Sequence, residues 1–398
     1  MSGPGDEKFR LMIVAGEASG DAHAASLVRA LRERAPAARF EFFGGTQAGM
    51  RAEGVETVVR TDELSITGLL EIARALPRFG RAYRELRRAA LERRPLAVVL
   101  VDWPDFNLRL ARALRRRGIK VIYYVSPQLW AWRGYRVRAI RRDVDLLLAL
   151  LPFEPAWYEA RGFPKVEFVG HPLASEVRRL DNRAEFCRRH GLDPARPVVG
   201  LLPGSRRKEL ARILPPMLGA ARLIAAAREG AQFVVALAPS RAPEEAEVLV
   251  AALGGSNDLD FGKNLRVVSG ETREALSAAD AAAVASGTAT LEAALAETPL
   301  VVVYRESAIN WHVLGSLISV EHYGLVNLVA GRRVAVELMQ YDFTPAALAR
   351  ELLSLLDPAA NAAARAALRE ATAPLRAGDA SRRAADAVLR ALRAWETG

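Results

Sequence analysis

The chain has 398 residues, of which 51% are hydrophobic and 26% charged, so it is a folded protein long enough for two domains and not a disordered one. Its single cysteine, Cys187, excludes an intrachain disulfide and a cysteine-based zinc cluster. The formal net charge of +10 is compatible with nucleic acid, an anionic membrane surface or phosphorylated substrates, although arginine-rich genomic drift alone would also produce it. Because acidic residues lie near the start and no run of about 18 uncharged apolar residues occurs, we expect neither a secretory signal nor a membrane span.

The first predicted strand covers residues 9–15 and ends in a loop bounded by glycines, residues 16–21. A helical period follows from His23. The loop after the first strand of an open α/β sheet is a place where ligands bind. The loop lacks the G-x-G-x-x-G pattern, so it does not indicate a dinucleotide site.

Residues 64–94 combine an apolar stretch with an amphipathic pattern. From Pro77 onward, Phe79, Tyr83 and Leu86 share one helical stripe, which favours an ordinary helix facing the core. The preceding residues 66–76 are loosely apolar, and a second interpretation is that they dip into a lipid interface, with arginines near the headgroups. On that interpretation the membrane contacts are Ile66, Leu69, Leu70 and Ile72.

Residues 96–101 are too apolar for a solvated edge strand and predict a parallel sheet covered on both faces. Asp102 follows directly, and a partly buried carboxylate at a strand end has the raised pKa that suits a general base. Spacing alone leaves a purely structural role open for Asp102. Asp105 precedes a helix and is interpreted as its N-cap.

A further strand, residues 120–125, leads into a loop that carries Trp130 and Trp132 beside several arginines. These tryptophans can stack on bases, lie at a membrane interface or simply pack, and the sequence leaves the three alternatives open.

After Gly170, His171 and Pro172 the strand–helix alternation pauses, and it restarts at Val198. His171 is interpreted as hinge structure. The pattern predicts the α/β class, with two doubly wound Rossmann-like domains facing across a cleft. We place the domains at residues 1–172 and 173–365, followed by alanine-rich helices.

The second domain opens with a candidate anion site. A buried strand, residues 198–202, ends at Gly204 and Ser205, and the basic residues from Arg206 to Lys208 precede a helix. We expect free backbone N–H groups and the helix dipole to face a phosphate there. The alternative is an ordinary strand–helix connection with solvated arginines.

A second anion site is predicted at residues 285–292, where Ser286 and Gly287 precede a helix that begins at Thr288. Glu292 lies four residues after Thr288 on the same helix face and can accept hydrogen bonds from a ribose diol. The alternative is a helix cap without a ligand. Two such sites in one domain favour a nucleotide diphosphate.

Neither a metal nor a cofactor is indicated. The pairs Asp143/Asp145 and Asp258/Asp260 do not leave a strand end, and the five histidines are scattered.

Seven segments in order, spanning nearly the whole chain, resemble the lipid-A-disaccharide synthase family. They are residues 15–21, 102–107, 126–133, 151–154, 169–171, 201–206 and 285–292. The resemblance implies a glycosyltransferase of the two-Rossmann (GT-B) type without a metal or cofactor. It also implies that a C-terminal helix, from about 366 to 398, returns to the first domain.

The activity that the resemblance implies is inverting transfer of 2,3-diacylglucosamine from its UDP form to the 6-hydroxyl of 2,3-diacylglucosamine 1-phosphate. The products are a β-1,6 disaccharide 1-phosphate and UDP. The implied location is peripheral, at the cytoplasmic face of a Gram-negative inner membrane, with an anionic membrane surface and no nucleic acid as partner. The oligomeric state is not implied.

Residue by residue, Asp102 matches the family's proposed general base. The donor-binding set comprises Gly204, Ser205, Arg206, Ser286, Gly287, Thr288, Glu292 and Asn327. The acceptor-side loop comprises Gly16, Glu17, Ser19 and Gly20.

Two other hypotheses stay open. One is a different GT-B activity on a UDP-aminosugar, such as a hydrolysing 2-epimerase or a lipid-linked peptidoglycan transferase, which would turn over a substrate without acyl chains. The other is a non-catalytic binder of membrane or nucleic acid, whose affinity would depend steeply on salt.

Overall fold

The computed structural model describes residues 7–64, 69–253, 264–307, 321–376 and 378–397, with the side chains of residues 69–75 and 252–253 left undescribed. It divides into two compact units. Unit 1 contains the described residues up to Pro172 together with those from Leu375 onward, and unit 2 extends from Leu173 to Pro374.

Each unit is built on one parallel sheet. The described strands are β1 (Lys8–Ala15), β2 (Arg39–Thr46), β3 (Glu56–Arg60), β4 (Ala97–Val101), β5 (Lys120–Tyr124), β6 (Leu146–Ala149), β7 (Val166–Phe168), β8 (Val198–Leu202), β9 (Gln232–Leu237), β10 (Leu265–Ser269), β11 (Ala281–Ala285), β12 (Leu300–Tyr304) and β13 (Val336–Met339). The order in unit 1 is β3-β2-β1-β4-β5-β6-β7, and in unit 2 it is β10-β9-β8-β11-β12-β13. The predicted α/β class with two doubly wound Rossmann-like domains is confirmed.

Helices connect the strands. Those described are α1 (Ala18–Arg34), α2 (Ala48–Ala52), α3 (Leu69–Arg93), α4 (Pro104–Arg115), α5 (Val137–Asp143), α6 (Glu154–Glu159), α7 (Leu173–Glu176), α8 (Arg183–Arg189), α9 (Arg207–Ala227), α10 (Pro243–Leu253), α11 (Thr272–Ala278), α12 (Thr288–Leu295), α13 (Leu325–Ala330), α14 (Pro345–Leu355), α15 (Pro358–Thr372) and α16 (Ala380–Glu396).

The strand order creates one topological switch point in each sheet. In unit 1 the chain winds outward in one direction from β1 and in the other from β4, and these two strands are neighbours. In unit 2 the same relation holds for β8 and β11. Open α/β sheets bind ligands outside the carboxyl ends of the strands at such a point. The four loops that follow β1, β4, β8 and β11 are therefore the expected positions of ligand-binding residues.

Alternating residues of β1 supply both faces of the unit 1 core. Leu11 and Ile13 pack toward α1 and α16, whereas Met12 and Val14 pack toward α3 and α4. Strand β4 is buried along its whole length, as expected for a central strand covered by helices on both sides.

Helix α16 returns to unit 1 and packs on α1 through the buried face that includes Val388 and Leu392. The returning segment begins at Leu375, later than the position near 366 expected from the sequence. The reason is that α15 belongs to unit 2. There Asn361 Nδ2 donates to the Asp280 carbonyl at 2.8 Å, and Arg365 Nη1 donates to that of Glu297 at 2.6 Å.

Among the described residues, helix α9 alone is long and apolar enough to cross a membrane by length and composition. It contains Pro215 and Pro216, and its apolar side chains, including Leu214 and Leu218, are buried in the unit 2 core. Half of its most apolar stretch is buried. We therefore interpret α9 as a core helix.

Candidate active site

The loops that follow β1 and β4 leave unit 1 side by side, because Ala15 is paired with Val101. A Cβ added to Gly16 would lie 2.0 Å from Cδ2 of Trp103, so only glycine fits against that ring. A Cβ on Gly20 would lie 3.8 Å from the Cβ of Asp102. The first turn of α1 therefore lies against Asp102, and the two predicted site segments of unit 1 meet.

The backbone at the end of β4 is strained. Asp102 and Trp103 both have φ of 50°, in the left-handed region that non-glycine residues rarely adopt. Two side chains secure this conformation: Tyr123 Oη donates to the Asp102 carbonyl at 2.6 Å and Asn107 Nδ2 donates to it at 2.8 Å. Strain of this kind concentrates at functional sites, where it directs a side chain that an ordinary turn would place elsewhere.

Burial is the main cause that raises the pKa of the Asp102 carboxyl above its usual range. The negative charge of Glu17 raises it further, and the backbone N–H of Trp103 opposes both effects. Glu17 is exposed at the start of α1. A partly desolvated carboxylate at a strand end has the properties of a general base for a hydroxyl.

Aromatic rings connect α3 to this site. Trp103 is stacked on Phe106 with 4.1 Å between ring centroids, and Phe79 of α3 lies 5.8 Å from Trp103. Leu86 is fully buried on the same stripe, so the predicted core-facing helix over residues 79–90 is confirmed. Among the predicted membrane contacts, Ile66 and the side chains of Leu69, Leu70 and Ile72 lie outside the described residues. Membrane contact there stays a prediction.

The loop after β5 is held by a buried carboxylate that the sequence analysis did not single out. Glu154 is 1% exposed and accepts hydrogen bonds from the backbone N–H groups of Leu150 (3.1 Å) and Leu151 (3.0 Å) and from Trp130 Nε1 (3.1 Å). Burial raises the pKa of Glu154 to about 7. The signal for Glu154 in the sequence was its position directly after the apolar segment 146–153. Trp130 is buried and donates to this carboxylate, and it is therefore a packing residue.

Trp132, in contrast, is 48% exposed, and the Arg133 guanidinium carbon lies 4.2 Å from the centroid of its ring. Arg133 and Arg136 both pair with Asp105, at 3.4 Å for Arg133. The prediction of Asp105 as an N-cap is wrong. Helix α4 begins at Pro104, two residues earlier than an Asp105 cap requires, with Trp103 at the cap position, and the Asp105 carboxylate pairs with the arginines instead.

His171 lies at the end of unit 1, next to Pro172, the last residue before the unit 2 segment begins. Burial, assisted by the nearby His23, lowers the pKa of His171 to about 4. The imidazole is therefore neutral at neutral pH.

In unit 2, Leu202 of β8 is paired with Val284 of β11, and the two predicted anion loops leave the sheet together. Gly204 has φ of 104°, and a Cβ there would lie 2.5 Å from Glu209 Oε2. The prediction of free N–H groups in this loop is wrong for two residues. The N–H groups of Ser205 and Arg206 donate to Glu209 Oε2 at 3.2 and 3.1 Å, because Glu209 folds back on the start of α9. The Arg206 side chain is 80% exposed, and its Nη1 lies 3.4 Å from Glu209 Oε1.

The loop after β11 is more open. Ser286 Oγ donates to the Tyr323 carbonyl at 2.9 Å, and a Cβ added to Gly287 would meet no atom within 4 Å. Thr288 starts α12, where the first N–H groups have no acceptor one turn earlier in the helix, and the Thr290 N–H donates to the Gly287 carbonyl at 3.2 Å. On the same helix, burial raises the pKa of Glu292, and Arg273, with Nε 3.9 Å from Glu292 Oε2, partly offsets this.

Asn327 does not present a free group to a ligand. It is fully buried, its Oδ1 accepts from the N–H groups of Val334 and Ala335, and its Nδ2 donates to the Ala335 carbonyl and to Glu337. All four hydrogen-bonding positions of its amide are thus used within unit 2. Donor binding by Asn327 stays a prediction, and the bonds of its amide support the local structure of unit 2.

Glu337 is the residue that the sequence analysis missed at this place. Its carboxylate accepts from the N–H groups of Tyr323 (3.0 Å) and Gly324 (2.9 Å), and so supports the turn that binds Ser286. A lone acid inside the apolar strand β13 was the signal.

Asp143 pairs with Arg142, and Asp145 Oδ2 accepts from the Val121 N–H at 3.0 Å, so both serve the local structure. Asp258 and Asp260 lie outside the described residues. Within the described residues no group of three or more histidine, cysteine or acidic side chains is placed to hold a metal ion.

Comparison with known proteins gives a consistent result. The model of the family described as lipid-A-disaccharide synthetase matches residues 11–390. The lipid-A-disaccharide synthase of Myxococcus xanthus is 45% identical over 351 residues, which cover 88% of this chain and 89% of that protein.

Solved structures share the fold at low sequence identity. The UDP-GlcNAc 2-epimerase from Neisseria meningitidis bound to UDP-GlcNAc has a TM-score of 0.61 at 12% identity, covering 96% of this chain and 100% of that chain. HepE of Anabaena in complex with UDP and glucose has a TM-score of 0.55 at 14% identity, covering 96% of this chain and 99% of that chain.

Proposed function

The chain belongs to the lipid-A-disaccharide synthase family and is therefore an enzyme of lipid A disaccharide synthesis, and from this we propose the reaction that it catalyses. It transfers 2,3-diacylglucosamine from UDP-2,3-diacylglucosamine to the 6-hydroxyl of 2,3-diacylglucosamine 1-phosphate, forming the β-1,6 lipid A disaccharide 1-phosphate and UDP. The observation that carries the proposal is the placement of Asp102, with its raised pKa, at the switch point of unit 1.

Asp102 acts as the general base. Its carboxylate takes the proton of the acceptor 6-hydroxyl as that oxygen forms a bond to the anomeric carbon of the donor. The bond from the anomeric carbon to the UDP oxygen breaks at the same time, and UDP leaves with the electron pair. Attack opposite the leaving group inverts an α-linked donor to a β-linked product.

Unit 2 binds the donor nucleotide. The exposed guanidinium of Arg206 and the start of α12 at Gly287 and Thr288 stabilise the negative charge that develops on the leaving diphosphate. Glu292 accepts hydrogen bonds from the ribose diol. The UDP ligands of the structural neighbours are consistent with this assignment.

The acceptor lies on unit 1, against the loop that contains Gly16, Glu17, Ser19 and Gly20. Its acyl chains stay in the membrane, and the apolar start of the α3 region provides the contact through Ile66, Leu69, Leu70 and Ile72. The net charge of +10 supports a peripheral location on an anionic surface, at the cytoplasmic face of the inner membrane.

The test is an assay with detergent-dispersed UDP-2,3-diacylglucosamine and 2,3-diacylglucosamine 1-phosphate in the presence of EDTA, with disaccharide 1-phosphate and UDP both quantified. We expect equal amounts of the two products and a β anomeric coupling in the disaccharide. Reactions without acceptor, and with UDP-N-acetylglucosamine as donor, are the controls. UDP release without acceptor, or conversion of the donor without acyl chains, would favour an epimerase-type activity and contradict the proposal.

A further inference from the structure

Two arginines converge beside the proposed base. Arg133 Nη1 lies 3.4 Å from Asp105 Oδ1, and Arg136 Nη2 contacts the same oxygen. Asp105 follows Asp102 by three residues. Tyr123 Oη donates to the Asp102 carbonyl at 2.6 Å, and the charges of Asp102, Asp105 and Arg136 all act on the pKa of Tyr123. The arginine pair therefore lies near the end of β4, which carries the proposed base.

The loop that carries these arginines is built at a cost in free energy. Of the seven described non-glycine residues with positive φ, four lie in the loops after β4 and β5, and Val125 (φ 65°) and Arg133 (φ 57°) are two of them. A β-branched residue in this region is a clear outlier. The buried carboxylate of Glu154 and its bond to Trp130 Nε1 then anchor the loop. Such strain and burial persist where the position of a side chain matters.

The ion pairs between the Asp105 carboxylate and the two arginines are weak. The carboxylate is 67% exposed, and exposed ion pairs contribute little to stability. A phosphate monoester carries more charge than a carboxylate and has three acceptor oxygens, and arginine binds such groups through several N–H donors at once. A phosphorylated ligand can therefore displace Asp105 at small cost.

We propose that Arg133 and Arg136 form the binding site for the anomeric phosphate of the acceptor, with the exposed ring of Trp132 as a flat surface beside it. This inference rests on the proposed function, since it identifies the group on the acceptor that the arginines recognise. With its phosphate on these arginines, one sugar ring separates the phosphate from the 6-hydroxyl that must reach Asp102. The site therefore selects acceptors by their phosphate and orients the opposite end of the sugar.

The test compares two acceptors that differ only in the phosphate, 2,3-diacylglucosamine 1-phosphate and 2,3-diacylglucosamine, in neutral detergent with a fixed donor. We expect the wild-type enzyme to prefer the phosphorylated acceptor in kcat/KM by about 10- to 100-fold, the range for one or two charged hydrogen bonds. Arg133→Ala and Arg136→Ala reduce this preference toward unity, because kcat/KM falls for the phosphorylated acceptor and stays the same for the unphosphorylated one. Arg133→Lys retains part of it because the charge is kept.

Arg138→Ala is the matched control, since Arg138 is an exposed arginine on the neighbouring α5 turn, and it keeps the full preference. Activity on the unphosphorylated acceptor is the control for folding, because a misfolded variant loses activity on both acceptors equally. An unchanged preference in the two alanine variants, or an equal loss on both acceptors in variants whose far-ultraviolet circular dichroism spectrum matches that of the wild type, would overturn the proposal.

A second arm distinguishes the acceptor phosphate from a lipid headgroup phosphate. Wild type, Arg133→Ala and Arg136→Ala are sedimented with vesicles of phosphatidylglycerol in phosphatidylcholine. We expect similar vesicle binding for all three. Loss of vesicle binding with an unchanged acceptor preference would assign the arginines to the membrane and overturn the proposal. If the wild type turns over neither acceptor, the proposed function itself fails, a separate outcome.

Discussion

At Asp102 the backbone and the carboxylate are controlled by different neighbours. Tyr123 and Asn107 hold the carbonyl oxygen, so that the backbone keeps its left-handed conformation. Burial and the charge of Glu17 act on the carboxylate instead and raise its pKa. The geometry and the acidity of the proposed base can therefore be changed separately by substitution.

Glu17→Gln is expected to move the acid limb of the pH profile. Because the base works in its ionised form and its pKa is raised, activity is lost as the pH falls through that raised pKa. Removing the negative charge of Glu17 lowers the pKa of Asp102, and the acid limb of kcat/KM moves to lower pH. Glu92→Gln, on the exposed surface of α3, is the control and leaves the limb in place. A limb that is unchanged in Glu17→Gln would contradict the coupling.

Gly16→Ala and Gly80→Ala are expected to have opposite effects. A Cβ at Gly16 overlaps the Trp103 ring, so the ring must move, with a loss of about 1–3 kcal/mol in the free energy of unfolding and a lower kcat. A Cβ at Gly80 meets no atom within 4 Å inside α3, and alanine there adds about 0.5–1 kcal/mol. Urea unfolding and steady-state kinetics measure both. Equal stability of the two variants would show that the Trp103 contact is not rigid.

The sequence predicted which residues follow the strands, but it could not predict where their side chains point. The strand ends follow from hydrophobic runs, and so Asp102, Arg206 and Ser286 were found. Glu209 accepts from residues three and four positions before it, and Asn327 bonds to residues seven to ten positions after it. The hydrophobic pattern does not show that these polar side chains turn back onto their own loops.

At the scale of elements, Glu154 connects three segments: the end of β6, helix α6 and the loop after β5. Its pKa is raised by burial although several donors favour its ionised form, so burial is the larger effect. The loop that presents Arg133 thus depends on one buried carboxyl group.

Glu154→Gln is expected to change the pH dependence of stability. With a pKa of about 7 in the folded protein against 4.5 as the ordinary value, the native state binds the proton more tightly. The group's contribution to stability is complete below about pH 4.5 and is lost as the pH rises to about 7, a total of about 3 kcal/mol. Denaturant unfolding of wild type and variant from pH 4.5 to 8 measures the difference. Parallel profiles for the two proteins would contradict the shifted pKa.

Element order was the most predictable feature of the fold. Strand β4 and its flanking turns follow from a short buried run, and α3 from its apolar stripe. The limits of prediction appear at helix starts. Pro104 moves the start of α4 ahead of Asp105 and thereby releases that carboxylate to the arginines.

At the scale of the whole molecule, unit 1 is completed by the far end of the chain. Helix α16 buries Val388 and Leu392 against α1, and ion pairs such as Arg34–Asp386 (2.7 Å) border the contact. The family resemblance implied the return of a C-terminal helix, but the residue at which the returning segment begins, Leu375, depends on packing. Asn361 and Arg365 on α15 hold that helix in unit 2.

Leu392→Ala is expected to destabilise unit 1 by about 2–5 kcal/mol, because it removes a fully buried side chain from this contact. The matched control on the same helix is Arg390→Ala, whose 63% exposed side chain pairs with Glu167, with an expected change below about 1 kcal/mol. Tryptophan fluorescence is a suitable probe, since five of the six tryptophans, Trp103, Trp130, Trp132, Trp157 and Trp395, belong to unit 1, and only Trp311 falls in the range of unit 2. Equal midpoints for the two variants would contradict the docking of α16.

The proposal that the carboxylate of Asp102 is the base that activates the acceptor hydroxyl is tested most directly with Asp102→Asn. This substitution preserves the shape of the side chain and removes its ability to take a proton. Wild type and variant are compared for formation of disaccharide 1-phosphate, with the far-ultraviolet circular dichroism spectrum as the check on folding. We expect disaccharide from the wild type and a loss of kcat of about 100-fold or more in a folded variant. A folded Asp102→Asn enzyme with kcat close to that of the wild type would contradict the role of Asp102.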